Sequence, residues 1–363
     1  MSNGRDPPQR PPERRVPPTF SNRGACRFRI EGSAARRRDG PATIVCGLVK
    51  RVLLASPRGF CAGVERAVET VEQALDLYGA PVYVRKQIVH NLHVVRELEE
   101  RGAIFVENEQ DVPVGGTLVL SAHGVAPSVH AGAAARRLTT IDATCPLVTK
   151  VHAQVIRYAA EGFTVILVGH AGHEEVVGTM GEAPDHVVLV QTVEDAEELE
   201  LPDTDLIAYS TQTTLSVEET ADIVAILRRR FPQLREPARS DICYATTNRQ
   251  HAVREMLPQV DLLLVIGSRN SSNSNRLVEV GRAAGVESHL IDDESGIDVD
   301  WLVGHESIGI TSGASAPESL VGRVCDWFRA YGVTDIRPFA ALLEDVVFKL
   351  PIELRRAQSS PAA

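Results

Sequence analysis

The chain has 363 residues, a formal net charge of −10, and 44% apolar and 5% aromatic residues. At about 150 residues per domain, this length predicts two or three domains with a core that needs no disulfide bonds. Residues 1–50 carry 11 Lys and Arg against 4 Asp and Glu, so the rest of the chain is strongly acidic. An acidic body argues against nucleic acid as the main partner, and no apolar run approaches the ~18 residues of a membrane span. We therefore expect a cytoplasmic protein that binds neither nucleic acid nor membrane.

The two ends of the chain are predicted to be irregular. Pro and Arg dominate residues 1–50, which show no apolar period and are expected to form a disordered extension. Cys26 and Cys46 lie in or beside this extension and are expected to have no function. The C-terminal segment, residues 336–363, is predicted to be unstructured from Arg355 onward.

Between the two ends, one pattern occurs three times: a cysteine, an amphipathic helix, a strand and a polar cluster, with a further apolar strand before the first two cysteines. The three cysteines are Cys61, Cys145 and Cys243. The strands and helices predicted around them are, in chain order, Val52–Ala55, Val64–Tyr78, Val82–Val84, Leu138–Ala143, Val148–Ala160, Phe163–Val168, Asn248–Leu257 and Asp261–Ile266.

The spacing within the three repeats agrees. From each cysteine to the polar cluster after the next strand there are 28 or 29 residues, counted to His90, His173 and Ser271. In open α/β sheets, ligands gather at the carboxyl ends of the strands, so the three clusters are expected to face one shared pocket. The chain is therefore predicted to be an α/β protein of three similar units. These units span residues 51–137, 138–236 and 237–335.

The three repeated cysteines suggest a metal centre. Each precedes a predicted helix, whose free N–H groups and dipole favour a thiolate. Thiolates are the ligands of zinc and of iron–sulfur clusters, and three of them leave one iron of a four-iron cluster open as a Lewis acid. Three buried, inert cysteines are the alternative. Cys325 lies in an apolar helical pattern and is predicted to belong to the core.

Polar side chains at the predicted strand ends suit a phosphorylated ligand. His90, His123 and His173 can donate hydrogen bonds to phosphate oxygens, as can hydroxyl and amide groups. Glu175 follows a glycine-rich stretch and could deliver a proton to a leaving hydroxyl, oriented by Gln212 and Thr213. The further donors in the repeat are Ser271, Ser272, Asn273 and Ser315.

The motifs around these residues resemble the 4-hydroxy-3-methylbut-2-enyl diphosphate (HMBPP) reductase family over about residues 52–350. The motifs that carry the resemblance are Arg58–Val64, Ser121–Gly124, Asp142–Val148, Gly169–Thr179, Thr211–Thr214, Cys243–Gln250 and Asn270–Asn275. The resemblance implies a pseudo-threefold cloverleaf of α/β units around a central [4Fe–4S] cluster. Its three protein ligands would be Cys61, Cys145 and Cys243.

The resemblance also implies a reaction, the last step of the methylerythritol phosphate route to isoprenoids. HMBPP would lose its hydroxyl by reduction, giving isopentenyl and dimethylallyl diphosphate, with ferredoxin or flavodoxin as the electron donor. Proton delivery would fall to Glu175, helped by Thr213 and His173, in a monomer or weak homodimer. The residues implied to bind the substrate are His90, His123, His173, Thr213, Ser271, Ser272, Asn273 and Ser315.

The chemistry of the residues alone leaves two other functions open. One is a non-redox iron–sulfur hydro-lyase, which would use an open iron in the same way. The other is a non-catalytic sensor that holds a metal cluster or zinc and binds a phosphorylated ligand.

Overall fold

The computed structural model of the protein describes residues 49–201 and 206–359. Apart from residues 49 and 50, the predicted extension lies outside this part of the chain, and so do Cys26, Cys46 and residues 360–363. Within the described ranges, no helix combines the length and the apolar character that a bilayer crossing requires.

The described residues form an α/β fold with twelve strands and eleven α-helices. The strands are β1 (Arg51–Ser56), β2 (Val82–Arg85), β3 (Ala103–Val106), β4 (Thr117–Leu120), β5 (Thr139–Asp142), β6 (Thr164–Val168), β7 (Val187–Val190), β8 (Ile207–Thr211), β9 (Leu262–Ile266), β10 (Glu287–Ile291), β11 (Ser307–Ser312) and β12 (Asp335–Ala340). The helices are α1 (Ala62–Tyr78), α2 (Leu92–Glu100), α3 (Pro127–Ala135), α4 (Pro146–Ala160), α5 (Glu174–Glu182), α6 (Val193–Glu198), α7 (Val217–Arg230), α8 (Tyr244–Met256), α9 (Ser272–Ala283), α10 (Glu318–Tyr331) and α11 (Ile352–Ser359). The strands and helices predicted around the three cysteines are confirmed.

The strands form three parallel sheets that repeat one order. These sheets run β3-β2-β4-β5, β7-β6-β8 and β10-β9-β11-β1-β12. In each sheet, the strand after a cysteine-bearing helix is flanked by the two strands that follow it in the chain. This threefold repetition confirms the predicted cloverleaf of α/β units.

The chain that leads into each cysteine pairs with the sheet of the preceding repeat. β5, before Cys145, pairs with β4, while β1, before Cys61, pairs with β11. In the second sheet, a single parallel bridge from Arg235 to Ala208 in β8 takes this place before Cys243. Each cysteine therefore lies where the chain passes from one sheet to the next.

The cores explain why these segments fold as they do. In α1, Ala67, Val71 and Ala74 recur at helical spacing and pack against the first sheet as fully buried side chains. β9 is buried along its whole length because it is an interior strand of an all-parallel sheet with helices on its faces. Cys325 in α10 packs beside Val324 and Phe328, which confirms its predicted place in the core.

The prediction that the chain is unstructured from Arg355 is wrong. α11 extends from Ile352 to Ser359, and its Leu354 is fully buried in the same core as α1. Nε of Arg355 donates to the carbonyl of Leu350 at 2.9 Å. Burial of one leucine against a distant helix therefore orders a segment whose local composition favours no structure.

We expect Phe328→Ala to lower the free energy of unfolding by about 3–5 kcal/mol, because it removes a large, fully buried side chain and leaves a cavity. Denaturant unfolding measures this loss. Leu343→Ala is the matched control: Leu343 is 93% exposed, so its loss should change stability by less than about 0.5 kcal/mol. Equal effects of the two substitutions would contradict the assignment of the core.

Candidate active site

Each repeated cysteine occupies the position immediately before a helix. Cys61, Cys145 and Cys243 are the N-cap residues of α1, α4 and α8, as expected. The backbone N–H of each donates to a carbonyl two residues beyond the end of β11, β4 or β8. In the same order, these carbonyls belong to Ala314 (3.3 Å), Ala122 (3.0 Å) and Thr213 (3.0 Å). Each cysteine is thus fixed by the sheet of the preceding repeat, and the three bonds form a cycle.

The three thiols line one cavity of about 110 Å³. The cavity lies at the carboxyl ends of strands from all three sheets, where parallel α/β folds place their ligands. The structure brings every predicted site residue except Gln212 to this cavity. Besides the cysteines, these residues are His90, His123, His173, Glu175, Thr213, Ser271, Ser272, Asn273 and Ser315.

The cavity disfavours free thiolates. Burial raises the pKa of the Cys145 thiol to about 12, and the negative charges of Cys61 and Cys243 contribute to this shift. Burial likewise raises the pKa of Cys243 to about 11, with Cys61 adding to the shift. Metal cations that replace the protons of Cys145 and Cys243 would stabilise their thiolates in this space. The donor set therefore fits a metal centre that carries several positive charges.

Gly63 leaves room for the sulfur atoms. A Cβ at this position would lie 2.7 Å from Sγ of Cys145 and 3.8 Å from Sγ of Cys61. Within residues 49–201 and 206–359, no three His, Cys, Asp or Glu side chains are placed to hold a single metal ion. In an iron–sulfur cluster, each thiolate binds a different iron, so the sulfur atoms need not converge on one ion. The arrangement fits a cluster better than a mononuclear site.

Three neutral imidazoles also line the cavity. The rings of His90 and His123 stack with centroids 4.1 Å apart, and His173 meets both edge-on at 5.5 and 5.8 Å. Burial lowers the pKa of His90 and His173 to about 4 and holds that of His123 well below its usual range. Nδ1 of His123 is buried without a hydrogen-bond partner, as expected of an atom that would bond to a ligand in the cavity.

His173 has a defined tautomer. It caps α5, and its Nδ1 accepts the backbone N–H of Glu175 at 3.2 Å. A nitrogen that accepts a hydrogen bond carries no proton, so the proton of the neutral ring lies on Nε2. His173 is therefore a donor at Nε2.

Glu175 is a buried carboxyl group with one dedicated partner. It is 2% exposed, and Thr213 donates to it twice, from N–H to Oε1 at 2.6 Å and from Oγ1 to Oε2 at 2.9 Å. Burial raises the pKa of Glu175 to about 7, and the negative charge of Asp241 contributes, although the two bonds from Thr213 oppose the shift. This carboxyl can therefore hold or release a proton near neutral pH.

Gln212 does not take part in this contact, which corrects the expectation that it orients Glu175. Its Oε1 accepts the backbone N–H of His170 at 3.1 Å, and its Nε2 donates to Oγ1 of Thr214 at 2.8 Å. Thr213 alone meets the carboxyl because it is one residue further along the chain as it leaves β8.

The remaining polar residues lie at the start of α9 and beyond β11. Ser271 caps α9, and Ser272 Oγ lies at the same helix start, where free N–H groups favour an anion. Oδ1 of Asn273 accepts the N–H of the residue before Ser315 at 2.9 Å. Ser315 Oγ donates to the carbonyl of His90 at 3.0 Å. This last contact links the first and third repeats at the cavity.

Thr246 and Phe348 are among the residues lining the cavity that were not predicted individually. Oγ1 of Thr246 lies 3.2 Å from Sγ of Cys243 and accepts Nδ2 of Asn273 at 3.3 Å. Its position three residues after the N-cap cysteine could have indicated this contact from the sequence, because side chains at these two positions of a helix meet. Phe348 reaches the cavity from residues 341–350, which connect β12 to α11 and have no counterpart in the repeat.

The fold and the site define a class of protein: a three-unit α/β enzyme with a thiol-lined cavity beside a buried acid. A family model described as LytB protein matches residues 52–329. The 4-hydroxy-3-methylbut-2-enyl diphosphate reductases of Acidothermus cellulolyticus and Nocardia farcinica are 59% and 55% identical to this chain. These alignments cover 85% and 88% of this chain, and 91% and 95% of those proteins.

A solved structure agrees. The E-1-hydroxy-2-methyl-but-2-enyl-4-diphosphate reductase from Plasmodium falciparum matches with a TM-score of 0.82 and 40% identity, over 85% of this chain and 97% of that one. The chain belongs to the LytB family, and its relatives in that family are HMBPP reductases.

We expect Cys145→Ser to lose most of its bound iron, because the substitution removes one of three thiolates from the cavity. Iron analysis of anaerobically purified protein measures the loss. Cys325→Ser is the matched control. It changes a core cysteine that does not line the cavity, so this variant should keep its bound iron. Full iron content in Cys145→Ser would show that another residue is the ligand.

Proposed function

We propose that this chain is an oxidoreductase that converts HMBPP to isopentenyl diphosphate and dimethylallyl diphosphate. This reaction is the terminal step of the methylerythritol phosphate route. The C–O bond to the hydroxyl breaks, two electrons and two protons enter, and water leaves. The observation that carries the proposal is the single cavity that joins three half-buried cysteines to a carboxyl with a pKa near 7. The names of the relatives in the LytB family support the choice of substrate.

Cys61, Cys145 and Cys243 would hold a [4Fe–4S] cluster. The raised pKa values of two of these thiols and the space left by Gly63 support this assignment. The bound cluster would supply electrons. It would also supply one iron that has no protein ligand and could act as a Lewis acid toward the substrate hydroxyl.

Glu175 would deliver a proton to the departing hydroxyl. Its burial keeps the carboxyl partly protonated at neutral pH, which a surface glutamate is not. The two bonds from Thr213 hold both oxygens in place. His173 supports the acid through its bond to the backbone N–H of Glu175, so the catalytic group would be Glu175 with Thr213 and His173 as its partners.

The diphosphate would bind among neutral donors. His90, His123 and His173 offer ring N–H groups, while the start of α9 adds helix N–H groups. Within the described residues, no lysine lines the cavity. The positive charge that faces the anion would therefore come from imidazoles that gain a proton when it binds. Binding of a diphosphate should raise the low pKa values of these rings and draw in protons. The hydroxyl and amide donors of this pocket would be Thr213, Ser271, Ser272, Asn273 and Ser315.

The electrons must come from outside the chain, one at a time, because an iron–sulfur cluster passes single electrons. We propose ferredoxin or flavodoxin as the donor, with the enzyme acting in the cytoplasm as a monomer or weak homodimer.

Electron dependence separates a reductase from a hydro-lyase built on the same residues. We expect anaerobic protein to form both products from HMBPP only when a one-electron reductant is present, with two electrons consumed for each product. Turnover without any reductant would contradict the reductase and favour a hydro-lyase. Tight binding of HMBPP with no turnover under either condition would favour a sensor.

We expect Glu175→Gln to keep its iron and bind HMBPP but to lose turnover by about 100- to 10,000-fold, the usual share of a general acid. In the parent enzyme, kcat should fall as the pH rises above about 7, because the donor must be protonated and its pKa is about 7. Steady-state kinetics across pH measures both effects.

Glu174→Gln is the matched control. It removes an equal charge one residue away, from a carboxylate that faces Arg85 Nη1 at 3.6 Å and Lys86 Nζ at 3.7 Å. It should change kcat far less. An unchanged kcat in Glu175→Gln would remove Glu175 from the role of proton donor.

A further inference from the structure

One basic side chain follows each of the three cysteines on the helix that the cysteine begins. Arg66, Lys150 and Arg249 lie five, five and six residues after their cysteines on α1, α4 and α8. Each extends to the chain segment that leads into the next cysteine of the cycle. These three residues are called the cation ring below.

Arg66 connects α1 to the approach to Cys145. Its Nη1 donates to the carbonyls of Ala143 at 2.9 Å and Thr144 at 3.0 Å, the two residues before that cysteine. The guanidinium is largely buried, which lowers the pKa of Arg66, and negative charge on Cys145 opposes this shift. A thiolate at Cys145 and the Arg66 cation therefore stabilise each other.

Lys150 connects α4 to the approach to Cys243. Its Nζ donates to the carbonyl of Ser240 at 3.0 Å and to Oδ1 of Asp241 at 3.1 Å, and it also lies 3.3 Å from the carbonyl of Arg239. The carboxylate of Asp241 is fully buried, although the Lys150 side chain is 40% exposed. This pair holds the segment that precedes the third cysteine.

Arg249 closes the cycle by connecting α8 to the approach to Cys61. It is fully buried, and its Nε and Nη2 donate to the carbonyl of Gly59 at 3.1 and 2.6 Å. Nη2 also donates to the carbonyl of Phe60 at 3.2 Å. Nη1 meets Oε1 of Glu344 at 3.1 Å.

We propose that the cation ring positions the three cysteine thiolates relative to one another and raises the reduction potential of the cluster they hold. The cation on each of these helices donates hydrogen bonds to the backbone before the next cysteine. The three segments that precede the cysteines are therefore coupled to one another. Loss of one of these cations would leave its negative partner (Cys145 for Arg66, Asp241 for Lys150 and Glu344 for Arg249) without a compensating charge, which would disfavour the more negative, reduced state of the cluster. The part of this inference that concerns potential rests on the proposed iron–sulfur function.

The cation ring also holds the segment that brings Phe348 to the cavity. Arg66 Nε donates to the carbonyl of Lys349 at 2.8 Å, and Arg249 pairs with Glu344. Arg66 and Arg249 thus each contact both the segment before a cysteine and residues 341–350.

Lys150 is the member to test, because its partial exposure allows replacement without emptying the core. Lys150→Met removes the charge, and Lys150→Arg restores a cation. Arg157→Met is the matched control, since it removes an equal charge from the exposed last turn of the same helix. The midpoint potential of the reconstituted enzyme and the rate of iron loss to a chelator are measured for each variant.

We expect Lys150→Met to have a more negative midpoint potential and to lose iron about 10-fold faster, the scale of other groups that orient metal ligands. Lys150→Arg should recover both values, and Arg157→Met should match the parent enzyme. Parent-like values in Lys150→Met would overturn the proposal. So would equal shifts in Lys150→Met and Arg157→Met, or a failure of Lys150→Arg to recover.

Amide hydrogen exchange of cluster-free protein separates this proposal from the proposed function. Lys150→Met should speed exchange of residues 239–243 by about 10-fold, because a charged hydrogen bond that holds this segment is lost. Arg157→Met should leave that segment unchanged. If the parent enzyme binds no iron, the proposed function fails while this exchange still decides the positioning role. Unchanged exchange in Lys150→Met would overturn that role.

Discussion

The convergence of three half-buried cysteines on one cavity is the constraint on which the rest of this structure depends. Away from water, a thiolate is costly, and a second one nearby makes it costlier, which is why burial raises the pKa of Cys145 to about 12. The fold must therefore bring the sulfur atoms together while leaving them protonated or bound to cations. It does so with a cycle of backbone bonds, in which each cysteine N–H is held by the sheet of the preceding repeat.

The same dry environment prepares the other groups of the site. It keeps Glu175 partly protonated and the three imidazoles neutral, so the cavity presents a proton donor and uncharged hydrogen-bond donors. A solvated cavity would ionise the carboxyl and weaken each of these interactions. The thiols and the acid line the same space. This arrangement suits a reaction that needs both electrons and protons at one carbon–oxygen bond.

Sequence periodicity predicted the local elements and the convergence of the site, since strands, helices and the cysteine spacing repeat along the chain. It did not predict that β1 would pair with β11, because pairing between strands some 250 residues apart depends on the closure of the whole cycle. The helix at Leu354 was missed for a similar reason: its stability comes from a tertiary contact. Gln212 was assigned a contact that its neighbour Thr213 makes, because alternation along the chain as it leaves β8 decides which side chain faces Glu175.

Metal and sulfide analysis of anaerobically purified protein, combined with its absorption spectrum, tests most directly whether the three cysteines hold an iron–sulfur cluster. The account predicts a brown protein with about four irons and about four inorganic sulfides per chain. A colourless protein that contains zinc, or one with neither iron nor sulfide after reconstitution, would contradict it.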